Sequence, residues 1–178
     1  NTEVDKTVIE QLSDPLTHMI RNSVDHGIER PDVRVAAGKS AEGTVYLSAE
    51  HRSGRIVIEI RDDGAGINRD KVLAKAKEKG LIAADAVLSD EECDNLIFLP
   101  GFSTADVVSN ISGRGVGMDV VKRNIQALGG TVRVTTIPGK GSLFTVSLPL
   151  TLAILDGMIV RVGSEHYIIP ITSIIETL

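Results

Sequence analysis

The sequence predicts an α/β protein on three observations. A helix with an entry signal and one polar face spans about 15–26. Two stretches, 43–61 and 131–148, alternate apolar and polar residues with period two and read as β-hairpins. Between these elements lie glycine-rich turns that leave a strand or open a helix.

Asp14-Pro15 reads as an N-cap followed by a first-turn proline, so the first helix is expected from Pro15 to about His26, closing at Gly27. A turn or two of helix is expected before it, between Asp5 and Leu12. Residues 43–50 and 55–61 form the first hairpin, turning at Ser53-Gly54. Helices are expected at 68–79 and 89–98. Residues 99–115 are rich in Gly, Ser, Pro and Asn, a long loop of the kind that serves as a lid. Val116–Leu128 reads as a helix closed by Gly129-Gly130. Strands at 131–136 and 142–148 flank Pro138-Gly139-Lys140-Gly141. Beyond a boundary at Pro149, two more strands are expected at 155–162 and 166–171, too few for an independent domain.

Composition narrows the function. The chain has 178 residues, 42% hydrophobic and 24% charged, enough for a core without staples. A net charge of -5 argues against a general nucleic-acid surface but permits a small basic pocket for one polyphosphate. Cys93, the single cysteine, follows three acidic residues, a poor setting for a reactive thiol. No apolar run is long enough to span a bilayer. The start at Asn1 suggests a piece of a longer protein.

On the first helix Leu16, Met19, Ile20 and Val24 share one side. His18, Asn22, Asp25 and His26 cover an arc of about 100° opposite them. One reading is a solvated polar stripe. The other is a ligand face, because an Asn oxygen suits Mg²⁺ already held by phosphates and the histidines can donate to phosphate oxygens. A dedicated His-metal site lacks a recognised ligand spacing.

Asp62-Asp63-Gly64-Ala65-Gly66-Ile67 leaves a strand. Asp62 can accept a bond from an adenine amino group while the glycines allow close approach, although calcium loops and plain turns share the pattern. Gly113-Arg114-Gly115-Val116-Gly117-Met118 opens a helix and can present N–H groups to phosphate. It is neither a P-loop nor a dinucleotide-binding fingerprint. Phe98 and Phe102, two of three phenylalanines, stand at the mouth of the long loop.

In order, HMIRNSVDHG, DDGAGI, FLPGFST, GRGVGMDVV and GKGSLF resemble the N, G1, F, G2 and G3 boxes of the GHKL ATP-binding superfamily, and within it the CheA family of chemotaxis histidine kinases. The resemblance covers roughly 8–150 and continues into the tail. It implies an α+β two-layer sandwich with helices on one face of a mixed sheet and ATP between them. Asn22 would bind Mg²⁺, and His18, Asp25 and His26 would line the phosphate and metal region. Asp62 would read adenine, with Gly64 and Gly66 shaping its pocket and Lys71 reaching phosphate. Phe98 and Phe102 would anchor the lid, with Ser103 near the phosphates. Gly113, Arg114, Gly115, Val116, Gly117 and Met118 would wrap the polyphosphate.

ATPases of the superfamily carry Glu four residues before the metal-binding Asn, as a base for water. Here His18 stands there, which favours transfer to another protein over hydrolysis. The resemblance therefore implies a cytoplasmic histidine kinase acting on a histidine of a separate phosphoacceptor domain, with a GHKL ATPase or serine-directed kinase as the alternative. His51 and His166 need not be acceptors. Residues 151–178 would begin a CheW-like regulatory domain, through which a CheW-like adaptor and chemoreceptors act, with a response regulator downstream. The fragment is expected to be monomeric and the full kinase dimeric.

Overall fold

The computed structural model describes residues 2–102, 117–149, 157–162 and 165–170. Helix α1 runs from Thr2 to Asn22 with Pro15 inside it. The expected entry at Asp14-Pro15 is thus corrected. An internal proline forfeits one hydrogen bond and strains the turn before it. Here the Pro15 ring is fully buried, and tertiary burial outweighs the local stop signal.

After Asn22 the helix widens into one π-helical turn, Ser23–Gly27, closed by Ile28 N donating to Ser23 O at 2.8 Å. Past Asn22 the residues no longer step by 100°. Val24, expected beside Met19, is 54% exposed, whereas Met19 is fully buried. A short helix, α2 (Pro31–Ala36), follows with proline in its first turn. No sequence expectation covered it, although Pro31 and Gly38 (φ +79°) are ordinary start and stop signals.

Strands β1 (Val45–Arg52) and β2 (Arg55–Asp62) pair through Ser53 and Gly54, both with positive φ, as the sequence predicts. Helix α3 (Arg69–Glu78) is capped by Asn68. Helix α4 (Asp90–Asn95) is capped by Ser89, whose hydroxyl accepts from Glu92 N and donates to Glu92 Oε1, and runs into a 3₁₀ turn, Leu96–Phe98. Helix α5 spans Met118–Ala127, followed by β3 (Thr131–Ile137) and β4 (Gly141–Pro149). Strands β5 (Gly157–Val162) and β6 (Glu165–Pro170), close to the expected positions, pair with each other and, among the described residues, with no other strand.

The main sheet has the order β1-β2-β4-β3 and every pairing in it is antiparallel, where the resemblance implied a mixed sheet. Ile58 and Ile60 of β2, Val132 and Val134 of β3, and Phe144, Val146 and Leu148 of β4 share one core. Met19 of α1 and Met118, Val121 and Ile125 of α5 close it from the helix side. A smaller core joins Ala76, Leu96 and Phe102. Ile60 is fully buried, so Ile60→Ala should cost about 2–5 kcal/mol, read as a lower denaturant midpoint at unchanged slope. A loss below about 0.5 kcal/mol is what a surface site gives and would contradict the packing.

Candidate functional site

Three turns meet at one end of the sheet. Ala65 N donates to Gly27 O at 2.9 Å, and Gly139 N donates to Ala65 O at 2.8 Å. The end of the π-helical turn, the 62–67 turn and the β3–β4 turn are thereby tied together. The contacts are too close for side chains. A Cβ on Gly64 would lie 1.9 Å from Gly27 O, and one on Gly141 (φ +116°) 1.9 Å from Asp62 O. The Gly139-Lys140-Gly141-Ser142 segment, an ordinary hairpin turn to the eye, is in fact part of the Asp62 environment.

Asp62 is 3% exposed. Its Oδ1 accepts from Gly64 N at 2.9 Å and from Ser142 N at 3.3 Å. Its Oδ2 receives no bond from the described residues, and the bare Cα of Gly27 lies against it, since a Cβ there would come within 3.2 Å. A buried carboxylate with one oxygen satisfied by the backbone and the other open is suited to a neutral donor such as an amino group. The next residue, Asp63, points the other way: its Oδ1 accepts from Thr44 N at 2.9 Å and its Oδ2 from Arg34. Nothing in the dipeptide itself separates the two roles.

The far side of the turn is braced by β3. Ile67 N donates to Thr136 Oγ1 at 2.9 Å, and that hydroxyl donates to Gly141 O and lies 3.2 Å from Ser142 Oγ. Thr136 N in turn donates to the buried Asp94 Oδ2 at 3.1 Å. Arg69 grips Asp94 with Nε and Nη2 at 2.8 and 3.0 Å. A polar chain thus links Asp62 to the α3–α4 pair. Sequence reasoning missed Thr136, Ser142 and Asp94, and Asp94 in an acidic run looks like a solvated residue.

Arg34, Lys39, Glu29 and Asp63 form an ion cluster on the near side. Burial alone would raise the Glu29 carboxyl, but the Lys39 hydrogen bond and the Lys39 and Arg34 charges outweigh it and hold it below its ordinary value. Asp63 is likewise depressed, with burial opposed by the Thr44 N–H and by Arg34. Depressed carboxyls add stability that is present above their unfolded pKa values and is lost as pH falls through the folded ones. The melting temperature should therefore drop below about pH 4. Asp63→Asn should be less stable at pH 7 and lose less on acidification. Equal acid slopes in the two proteins would contradict this.

On α1, His18 and Asn22 are half-buried, while Asp25 and His26 on the π-helical turn are exposed. Burial lowers the His18 pKa from its ordinary value, with Arg21 and His26 adding to the effect. The Asn22 side chain makes no capping bond to the turn that follows it. Ser23 is 2% exposed and its hydroxyl finds no partner among the described residues. No group of three or more His, Cys, Asp or Glu able to hold a metal occurs among the described residues. A side-chain amide oxygen such as that of Asn22 is of the hard, neutral kind that suits a Mg²⁺ already carried by phosphates.

Lys71 is exposed in the first turn of α3. Phe98 and Phe102, expected to anchor the lid, and Met118, expected at the polyphosphate, are 3%, 8% and 3% exposed and belong to the two cores. Phe98 meets Phe144 edge to face at 6.3 Å, and Lys75 Nζ lies over the Phe102 ring. Gly117 is the cap of α5. Ser103, Gly113, Arg114, Gly115 and Val116 lie outside the described residues, as does most of the expected lid.

The model for the family described as histidine kinase-, DNA gyrase B-, and HSP90-like ATPase matches residues 11–152. The chain belongs to this ATPase family. Its helices and four-stranded antiparallel sheet are the family's domain, and the three joined turns lie within the matched span. Among curated relatives, the chemotaxis protein CheA of Rhizobium meliloti (strain 1021) is 70% identical over all of this chain and 24% of its own length. CheA of Cereibacter sphaeroides is 62% identical, again over all of this chain and 26% of the relative. CheA of Bacillus subtilis (strain 168) is 52% identical over 99% of this chain and 26% of the relative. The chain thus spans about a quarter of the length of these relatives. Among the described residues of this ATPase-family domain, no helix is long and apolar enough to cross a membrane.

Proposed function

We propose that this domain binds Mg-ATP and passes its γ-phosphoryl group to a histidine on a separate phosphoacceptor domain, as the catalytic part of a chemotaxis histidine kinase. The observation that carries the reading is Asp62, buried with Oδ1 held by two backbone N–H groups and Oδ2 open beside Gly27. Oδ2 accepts from the adenine amino group. Asn22, one α-helical turn beyond His18, supplies a neutral oxygen to the metal that neutralises phosphate charge. His18, Asp25, His26 and Lys71 line the triphosphate, together with the glycine-rich segment 113–117.

Transfer needs positioning more than covalent help from this chain. The acceptor imidazole nitrogen bonds to the γ-phosphorus, the bond to the β-phosphate oxygen breaks, and ADP leaves. His18 stands where the superfamily's ATPases carry a glutamate as the base for water, so that carboxylate is missing and the external nucleophile is favoured over hydrolysis. Residues 151–178 begin a regulatory domain that carries the link to a CheW-like adaptor, chemoreceptors and a response regulator. The supporting fact is the 70% identity to a CheA over all of this chain, the tail included.

The test is incubation with Mg-ATP and an added phosphoacceptor domain. Acid-labile phosphate on the acceptor is expected. Acid-stable phosphoserine, or free phosphate released without an acceptor, would instead identify the serine kinase or the ATPase.

A further inference from the structure

Helix α2 has an inverted pattern. Val33 and Val35 are 50% and 59% exposed, while Arg34 is 1% exposed and is the one buried residue of the helix. A surface helix ordinarily docks through an apolar stripe. This one docks through a guanidinium, whose burial is costly unless every charge is matched. The matching is specific. Arg34 Nε donates to Ser40 O at 2.8 Å, Nη1 to Glu29 Oε1 at 3.0 Å and Asp63 O at 3.2 Å, and Nη2 to Asp63 Oδ2 at 3.1 Å. Lys39 Nζ donates to Glu29 Oε2 at 2.8 Å, Asp63 O at 3.0 Å and Gly64 O at 2.8 Å. Two cations face two carboxylates, and the remaining bonds go to backbone carbonyls.

Two of those carbonyls, Asp63 O and Gly64 O, belong to the turn that begins at Asp62. Since α2 adds no apolar side chain to either core, what its docking provides is the shape of that turn. Asp62 Oδ1 is fixed from inside by Gly64 N, and Gly64 is fixed from outside by Lys39. A shift of the outer bonds therefore moves the carboxylate.

We propose that Arg34, together with Glu29 and Lys39, is a positioning residue for base recognition, holding the Asp62–Gly64 turn so that Asp62 Oδ2 meets an adenine amino group. The proposal rests on the reading of Asp62 given above. It predicts an effect on which base is bound, beyond any effect on whether the chain folds. Lysine at position 34 keeps the charge but loses the planar fork that reaches Glu29 and Asp63 together.

The experiment compares the parent chain with Arg34→Lys and Lys39→Gln. It measures ATP and GTP affinity by calorimetry, and KM and kcat for transfer to an added histidine phosphoacceptor domain. Both variants should bind ATP about tenfold more weakly, with GTP binding changed by less than about twofold. KM for ATP should rise while kcat at saturation stays within about twofold. Equal losses for ATP and GTP, a lower kcat at unchanged KM, or no change at all would overturn the proposal. If Arg34→Lys fails to fold, Lys39→Gln decides, because Lys39 is less buried, at 19% against 2% side-chain exposure. A parent chain that binds ATP no better than GTP would remove the reading of Asp62 itself, and this proposal with it.

Discussion

Asp62→Asn is expected to lower ATP affinity by about 100-fold or more while leaving the domain folded. The reason lies in the two oxygens. Oδ1 must accept from Gly64 N and Ser142 N, so an asparagine will turn its oxygen to that side. Its NH₂ then takes the place of Oδ2 and points a donor at the adenine amino group, itself a donor. One charge-assisted bond is lost and a donor–donor clash is gained. The same reversal suits a base that presents a carbonyl at that edge, so GTP affinity should hold or rise as ATP affinity falls. Calorimetric titration of both nucleotides checks this. An asparagine variant that binds ATP within about threefold of the parent would place the base elsewhere.

Asn22→Ala is expected to cut phosphoryl transfer by at least about 100-fold and to weaken the magnesium dependence of ATP binding. Stability should change little, because the Asn22 side chain makes no capping bond and is only half-buried. The measurement is single-turnover transfer to an added phosphoacceptor domain, with ATP affinity taken at several magnesium concentrations. Parent-like transfer from the alanine variant would remove Asn22 from the metal. Affinity without magnesium should be nearly unchanged, which separates loss of a metal contact from loss of the nucleotide site.

The two variants test different kinds of knowledge. Asn22 stands out in the sequence because short polar side chains gather on a helix face where Lys and Glu are usual. Its neighbours Asp25 and His26 share that stripe on a helical wheel, yet both sit on a π-helical turn that the wheel does not describe. Asp62 stands out through the glycines after it, but the sequence DD offers two adjacent carboxylates. Only the Gly64 N–H and the partners Ser142, Thr44 and Arg34 make one face inward and the other outward.

Local patterns by themselves determined both hairpins of the main sheet, the places of α3 and α5, the Gly129-Gly130 stop after α5, and the glycine-rich turns. Each depends on residues close in the chain: alternation with period two, positive φ at Gly54, a side-chain oxygen before a helix. Tertiary structure alone decided the rest. Pro15 lies within α1 because its ring is buried. Phe98, Phe102 and Met118 fill cores because two hydrophobic clusters reach them from distant elements. Arg34 goes inside because carboxylates at positions 29 and 63 and carbonyls from two loops converge on it. Burial and charge pairing are set by groups far apart in sequence, and no local window contains both partners.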